Sequence, residues 1–78
     1  MRKETFIQWV ELQLGRRSVK MVDRFYEDLD ATSIDMLNLV VRIEKNTGIF
    51  IPEETIPELK TVEELYRFIQ SHESINHG

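Results

Sequence analysis

Between Ser33 and Thr47 the chain reads SIDMLNLVVRIEKNT, and a polar stripe runs through it at Asp35, Asn38, Arg42 and Lys45. That spacing draws a narrow line along a helix. Met36, Leu39, Val40 and Ile43 form an apolar stripe on another face, and Ile34, Leu37 and Val41 form a second beside it. One apolar stripe is enough to pack a helix into a bundle. A chain of 78 residues makes one domain with a modest core, which leaves little material to bury both stripes. The second stripe therefore needs a purpose other than packing.

The flanking segments supply the rest of a small bundle. ETFIQWVELQLG sets Phe6, Val10 and Leu14, with Ile7 and Trp9, at helical spacing, and Gly15 reaches positive φ without a Cβ penalty, so helix one is expected over about 3–14. Residues 15–32 read as a long loop anchored by Val19, Val22, Phe25 and Leu29, and a loop of that length in so small a domain is often functional. Helix two is expected over about 33–47, ended by Gly48. IFIP then runs extended into a short helix over about 53–58, which Pro57 limits to a turn or so. Thr61 and Glu64 stand in capping-box spacing before Val62, Leu65 or Tyr66, and Ile69, so the last helix is expected over about 62–71 with a fraying polar tail. The expected class is all-α: one domain over 1–78, three main helices, one short one and a long first loop.

Composition narrows the chemistry. With no cysteine, disulfide frameworks, thiol nucleophiles and thiolate metal sites are excluded. No apolar run approaches the length of a membrane span, and MRKETFIQWVELQ is broken by Glu4, Gln8 and Glu11, unlike a secretory signal; a cytoplasmic chain without membrane insertion is expected. The net charge of -4 is uneven, with five basic and two acidic residues before Asp23 and five basic and twelve acidic from there on. So few basic residues do not suit nucleic acid, and basic protein surfaces are the better partners.

Ser33 opens helix two, where a serine ordinarily accepts a hydrogen bond from a free backbone N–H. Thr32 stands beside it, with Asp35 three residues on, so the cap can be supplied without Ser33. Its hydroxyl is then left to solvent near a helix N-terminus, where an incoming phosphate is favoured. Asp28, Asp30 and Thr32 alternate like the opening of a calcium loop, but Ser33 and Leu39 occupy the places of its glycine and bidentate glutamate, so calcium is rejected. His72 and His77 lie in the polar tail without a third ligand, and Glu53, Glu54, Glu58, Glu63 and Glu64 read as a solvated face, so neither metal binding nor catalysis is expected.

The stretch FYEDLDATSIDMLNLVVRIEKNTGIFIPEETIPELKTVEELYRFI, from Phe25 to Ile69, resembles an acyl carrier protein. The family's usual wording around its serine is leucine, glycine, any residue, aspartate, serine, leucine and an acid; here Leu29, Asp30, Ala31, Thr32, Ser33, Ile34 and Asp35 stand in that register. FIPEE followed by KTVEEL is similar to the family as well. The resemblance implies a non-catalytic carrier whose Ser33 receives a 4′-phosphopantetheine arm from coenzyme A, with acyl groups held as thioesters on the arm. It implies a phosphopantetheinyl transferase and acyl-loading, acyl-transfer or condensing enzymes as partners of a monomer. It assigns partner docking to Asp30, Ile34, Asp35, Leu37, Asn38, Val41, Glu44 and Glu53, and an acyl-chain pocket to Leu39, Ile43, Ile51, Ile56, Leu59, Val62 and Leu65. Asp30 replaces the usual glycine, Thr32 the usual aspartate, and the helix-two stripe is less acidic than the family's, which implies a specialised carrier in fatty-acid, lipid or polyketide-type biosynthesis. An aminoacyl or peptidyl carrier and an unmodified helical adaptor are the alternatives. Asp28, Asp30 and Asp35 make the serine end negative in this reading, with Arg42 and Lys45 lying farther along the helix.

Overall fold

Gly15 and Gly48 set where two helices end: each adopts a left-handed conformation, and its N–H donates back to the carbonyl of Glu11 or Glu44. A computed structural model describes the backbone of residues 1–77 and the side chains of residues 1–73. Helix α1 spans Lys3–Leu14, α2 spans Ser33–Thr47 and α3 spans Val62–His77, with a short 3₁₀ helix at Glu53–Glu58. No strand occurs among the described residues, and the all-α bundle with a long first loop is the architecture that the hydrophobic spacing requires.

The three helices meet through Phe6 and Val10 of α1, Met36, Leu39, Val40 and Ile43 of α2, and Val62, Leu65 and Ile69 of α3, all buried in one cluster. Ile7, Trp9 and Leu14 pack half-buried against it. Tyr66 lies at the rim, its ring centroid 5.3 Å from that of Phe6 and its hydroxyl donating to the Met1 carbonyl at 3.0 Å. Thr61 and Glu64 form the anticipated cap: the Glu64 N–H donates to Thr61 Oγ1, and the Glu64 carboxylate accepts from the N–H groups of Lys60 and Thr61.

Helix α3 continues to His77, beyond the stop expected near Ser71. No glycine or proline interrupts residues 62–77, and the far turns are tied to the chain start, where the Met1 ammonium meets the Glu73 carboxylate at 2.9 Å. His72 contacts the Phe68 carbonyl at 2.9 Å and stacks on the Phe68 ring. The His77 side chain lies outside the described residues.

The loop at 15–32 is anchored by Val19, Phe25 and Leu29, as their spacing suggested, but Val22 points outward. A turn explains this, in which the Asp23 N–H donates to the Lys20 carbonyl and the Lys20 N–H to the Asp23 carboxylate. Met21 packs inward instead and offers its carbonyl to the Glu63 N–H. Reciprocal bonds from Phe25 N–H to the Lys60 carbonyl and from Val62 N–H to the Asp23 carbonyl staple the loop to the start of α3. Among the described residues, no helix is long and apolar enough to cross a membrane, and no group of three or more His, Cys, Asp or Glu could hold a metal ion.

Asp28 closes the turn that leads toward Ser33. Its carboxylate accepts from the Arg24 side chain and from the Arg24 N–H at 2.8 Å, and these bonds hold its pKa below the usual carboxylate value. A depressed folded-state pKa contributes stability above the unfolded value of about 3.9, lost as pH falls through the folded one. Asp28→Asn should therefore lower urea stability at neutral pH, and the gap to the wild type should close on acidification below about pH 4. A gap that does not change with pH would show that the ionised carboxylate contributes nothing.

Candidate functional site

Thr32 has extended backbone angles, φ -98° and ψ 169°, and is the residue from which α2 starts. Its hydroxyl accepts from the Asp35 N–H at 3.1 Å, while the Asp35 carboxylate accepts from the Thr32 N–H at 2.9 Å. The two side chains satisfy each other's backbone donors. Ser33, the next residue, is the first of the helix and is exposed, and among the described residues its hydroxyl takes part in no hydrogen bond. The arrangement leaves a free hydroxyl at the positive end of a 15-residue helix.

Beside Ser33 lies a hollow of about 210 Å³ lined by Tyr26, Ser33, Leu37, Glu53, Ile56 and Pro57. A second hollow of about 400 Å³ shares Leu37, Glu53 and Ile56 with it and extends along α2 past Val41 and Glu44 to Phe50 and Ile51. Together they form a groove between α2 and the 3₁₀ helix with Ser33 at one end. The second apolar stripe of α2 faces solvent, with Ile34 69%, Leu37 40% and Val41 44% exposed, and of these Leu37 and Val41 line the groove. Phe50, 70% exposed, completes the apolar rim.

The expected docking residues fall into two groups. Ile34, Leu37, Asn38 and Val41 are exposed on α2, and Glu53 faces the groove from the 3₁₀ helix. Asp30, Asp35 and Glu44 each have an internal role: Asp30 pairs with Arg16, Asp35 belongs to the cap, and the Glu44 carboxylate accepts from the Ile51 N–H at 2.9 Å. Asp28 and Asp30 are each paired with an arginine and Asp35 is held by backbone, while Glu44, Glu53 and Glu54 are the acids that line the groove. Farther along α2, Arg42 donates to the Gln13 side chain at 3.1 Å and shares a shallow polar hollow with Asn38, Lys45 and Asn46.

The residues expected to line an acyl pocket are all interior. Leu39, Ile43, Ile51, Ile56, Val62 and Leu65 are buried in the common core, and Leu59 packs against it. Ile51 and Ile56 also border the groove, so they form the wall between the groove and the core. Tyr26, Phe50 and Pro57 are groove residues that the sequence reading does not assign to the site. For Phe50 the signal was available: in the extended segment Ile49 and Ile51 turn inward, so the residue between them must face out.

The cap makes a separable prediction. Thr32→Ala should cost about 1 kcal/mol of stability, the usual value of an N-cap, whereas Ser33→Ala should leave the urea midpoint essentially where it was. An equal loss in both variants would mean that the serine shares the capping role.

Residues 7–69 match the family described as "Phosphopantetheine attachment site". Relatives named acyl carrier protein include those of Helicobacter hepaticus, 36% identical over 80% of this chain and 82% of the relative, and of an Arthrobacter species, 41% identical over 76% and 73%. That of Wolinella succinogenes is 33% identical over 90% of both chains. A family match that covers both the freed serine and the groove beside it, together with these relatives, places the chain in the acyl carrier protein family.

Proposed function

We propose that this chain is a specialised, non-catalytic acyl carrier in fatty-acid, lipid or polyketide-type biosynthesis, modified with 4′-phosphopantetheine at Ser33. One observation carries the choice of residue: Thr32 and Asp35 complete the helix cap between themselves, so the Ser33 hydroxyl is free where α2 presents its positive end. These residues suit the group, since a phosphodiester on Ser33 would sit against the helix N-terminus without displacing any capping bond. Attachment forms a bond between Ser33 Oγ and the phosphorus of the arm and breaks the pyrophosphate bond of coenzyme A. The hydroxyl proton passes to a base of the transferase, and the nucleotide leaves. When bound, the arm supplies the thiol on which acyl groups ride, in a chain that has no cysteine of its own.

The second apolar stripe acquires its purpose in this reading. Ile34, Leu37 and Val41, joined by Phe50, form the central anchor for the transferase and for the acyl-loading, acyl-transfer or condensing enzymes, with Asn38 and Glu53 at the rim. Asp30, Asp35 and Glu44 contribute mainly by holding that surface in shape. An acyl chain enters the core past Ile51 and Ile56, toward Leu39, Ile43, Leu59, Val62 and Leu65. The relatives are named acyl carrier proteins, which supports acyl over aminoacyl or peptidyl cargo. A cytoplasmic monomer that draws its arm from coenzyme A is in keeping with this reading.

Incubation with coenzyme A, magnesium and a broad-specificity phosphopantetheinyl transferase should add the mass of one arm, and Ser33→Ala should abolish the addition. Modification elsewhere would overturn the assignment to Ser33, and no modification by any transferase, with a native partner that binds Ser33→Ala as well as the wild type, would identify the chain as a helical adaptor. For docking, Leu37→Ala and Phe50→Ala should each weaken binding of the transferase by about 1 kcal/mol or more, as truncation of a buried anchor does. Unchanged affinity in both would remove the groove rim from the interface.

A further inference from the structure

Asp30 stands in the left-handed region, with φ 53°. L-residues adopt it reluctantly, aspartate and asparagine less so than most. This corner lies three residues before Ser33, and it is held from outside. Arg16, just past the end of α1, donates from Nε to the Leu29 carbonyl at 3.2 Å and from Nη2 to the Asp30 carboxylate at 2.8 Å. The planar fork of a guanidinium suits two such acceptors, since it fixes both with one orientation. Arg16 is in turn placed by its own N–H, which donates to the Glu11 carbonyl at 3.0 Å, and the Glu11 carboxylate accepts from the Val19 N–H at 3.0 Å. A chain of contacts therefore runs from the last turn of α1 to the corner that delivers Ser33.

We propose that Arg16 is a positioning residue for arm attachment: it fixes the Leu29–Asp30 corner, a task that a glycine at position 30 would make unnecessary, and offsets the carboxylate charge there. This role rests on the reading of Ser33 as the attachment point. Without the arginine the corner samples other conformations, and only the fraction with Ser33 correctly presented is competent. A reduced competent fraction weakens apparent affinity in proportion and leaves the chemistry of the bound complex unchanged. Pairing also removes an isolated negative charge from the approach of coenzyme A, itself an anion.

The test uses the full chain and a transferase that modifies it. Arg16→Ala should raise the KM for the carrier about two- to fivefold, the range of an exposed pair with good geometry, with kcat unchanged. Arg16→Lys should fall between, because an ammonium reaches the carboxylate but cannot hold both acceptors in one plane. The double variant Arg16→Ala with Asp30→Gly should recover the wild-type KM. Amide hydrogen exchange supplies a readout independent of the enzyme: the Ala31 N–H, which donates to the Phe25 carbonyl at 2.9 Å, should exchange faster in Arg16→Ala and slow again in the double variant. A KM and an Ala31 exchange rate that both match the wild type in Arg16→Ala overturn the proposal. A raised KM that Asp30→Gly does not rescue overturns it too, and assigns Arg16 to direct contact with the transferase. If the wild type accepts no arm at Ser33 from any transferase, the reading of the serine itself falls, and the exchange rates still decide whether Arg16 fixes the corner.

Discussion

The reciprocal bonds between Thr32 and Asp35 are the constraint on which the site depends. A helix N-terminus needs acceptors for its free N–H groups, and a serine at the first helical position would be drawn into that task if nothing else served. With threonine and aspartate bonded to each other's backbone, the helix is closed and the neighbouring hydroxyl is released. The same geometry fixes the direction in which α2 leaves the loop, and so decides which stripe turns inward. Met36, Leu39, Val40 and Ile43 then fall on the core, and Ile34, Leu37 and Val41 fall on solvent.

The loop before the cap is as much a part of the site as the helix after it. Phe25 and Leu29 bury their side chains in the common core, while the backbone at Asp23 and Phe25 is bonded to residues at the start of α3. The segment is irregular in its dihedral angles and well anchored in its contacts. A loop fixed in this way delivers Ser33 to a defined place, at the mouth of a groove bounded by a different stretch of chain.

Much of this was legible in the sequence because it rests on short-range spacing. The two stripes of α2, the glycines that end α1 and α2, and the caps at Thr32 and Thr61 are all relations within a few residues. Relations across longer stretches were hidden. The pairing of Arg16 with Asp30 joins residues fourteen apart through a loop, and no periodicity announces it; read from sequence, Asp30 is a replacement for the usual glycine and one of three negative charges near the serine, with no partner assigned. Val22 had the right spacing for an anchor, yet the turn between Lys20 and Asp23 rotates it outward. Beyond Ser71, α3 brings Glu73 against the Met1 ammonium, a long-range contact that local helix propensity does not contain. Phe50 is the opposite case, a residue whose outward position followed from simple alternation.

The hydrogen bond from the Ile51 N–H to Glu44 has a mechanical meaning. Glu44 is on α2, the helix that begins at Ser33, so the far end of the groove is fastened to the same rod that bears the serine at its near end. The span from Ser33 to Phe50 is then set by helical pitch, much as marks are set on a ruler. Anything that grips Phe50 has thereby measured out where the Ser33 hydroxyl must be, without having to touch the residues between them.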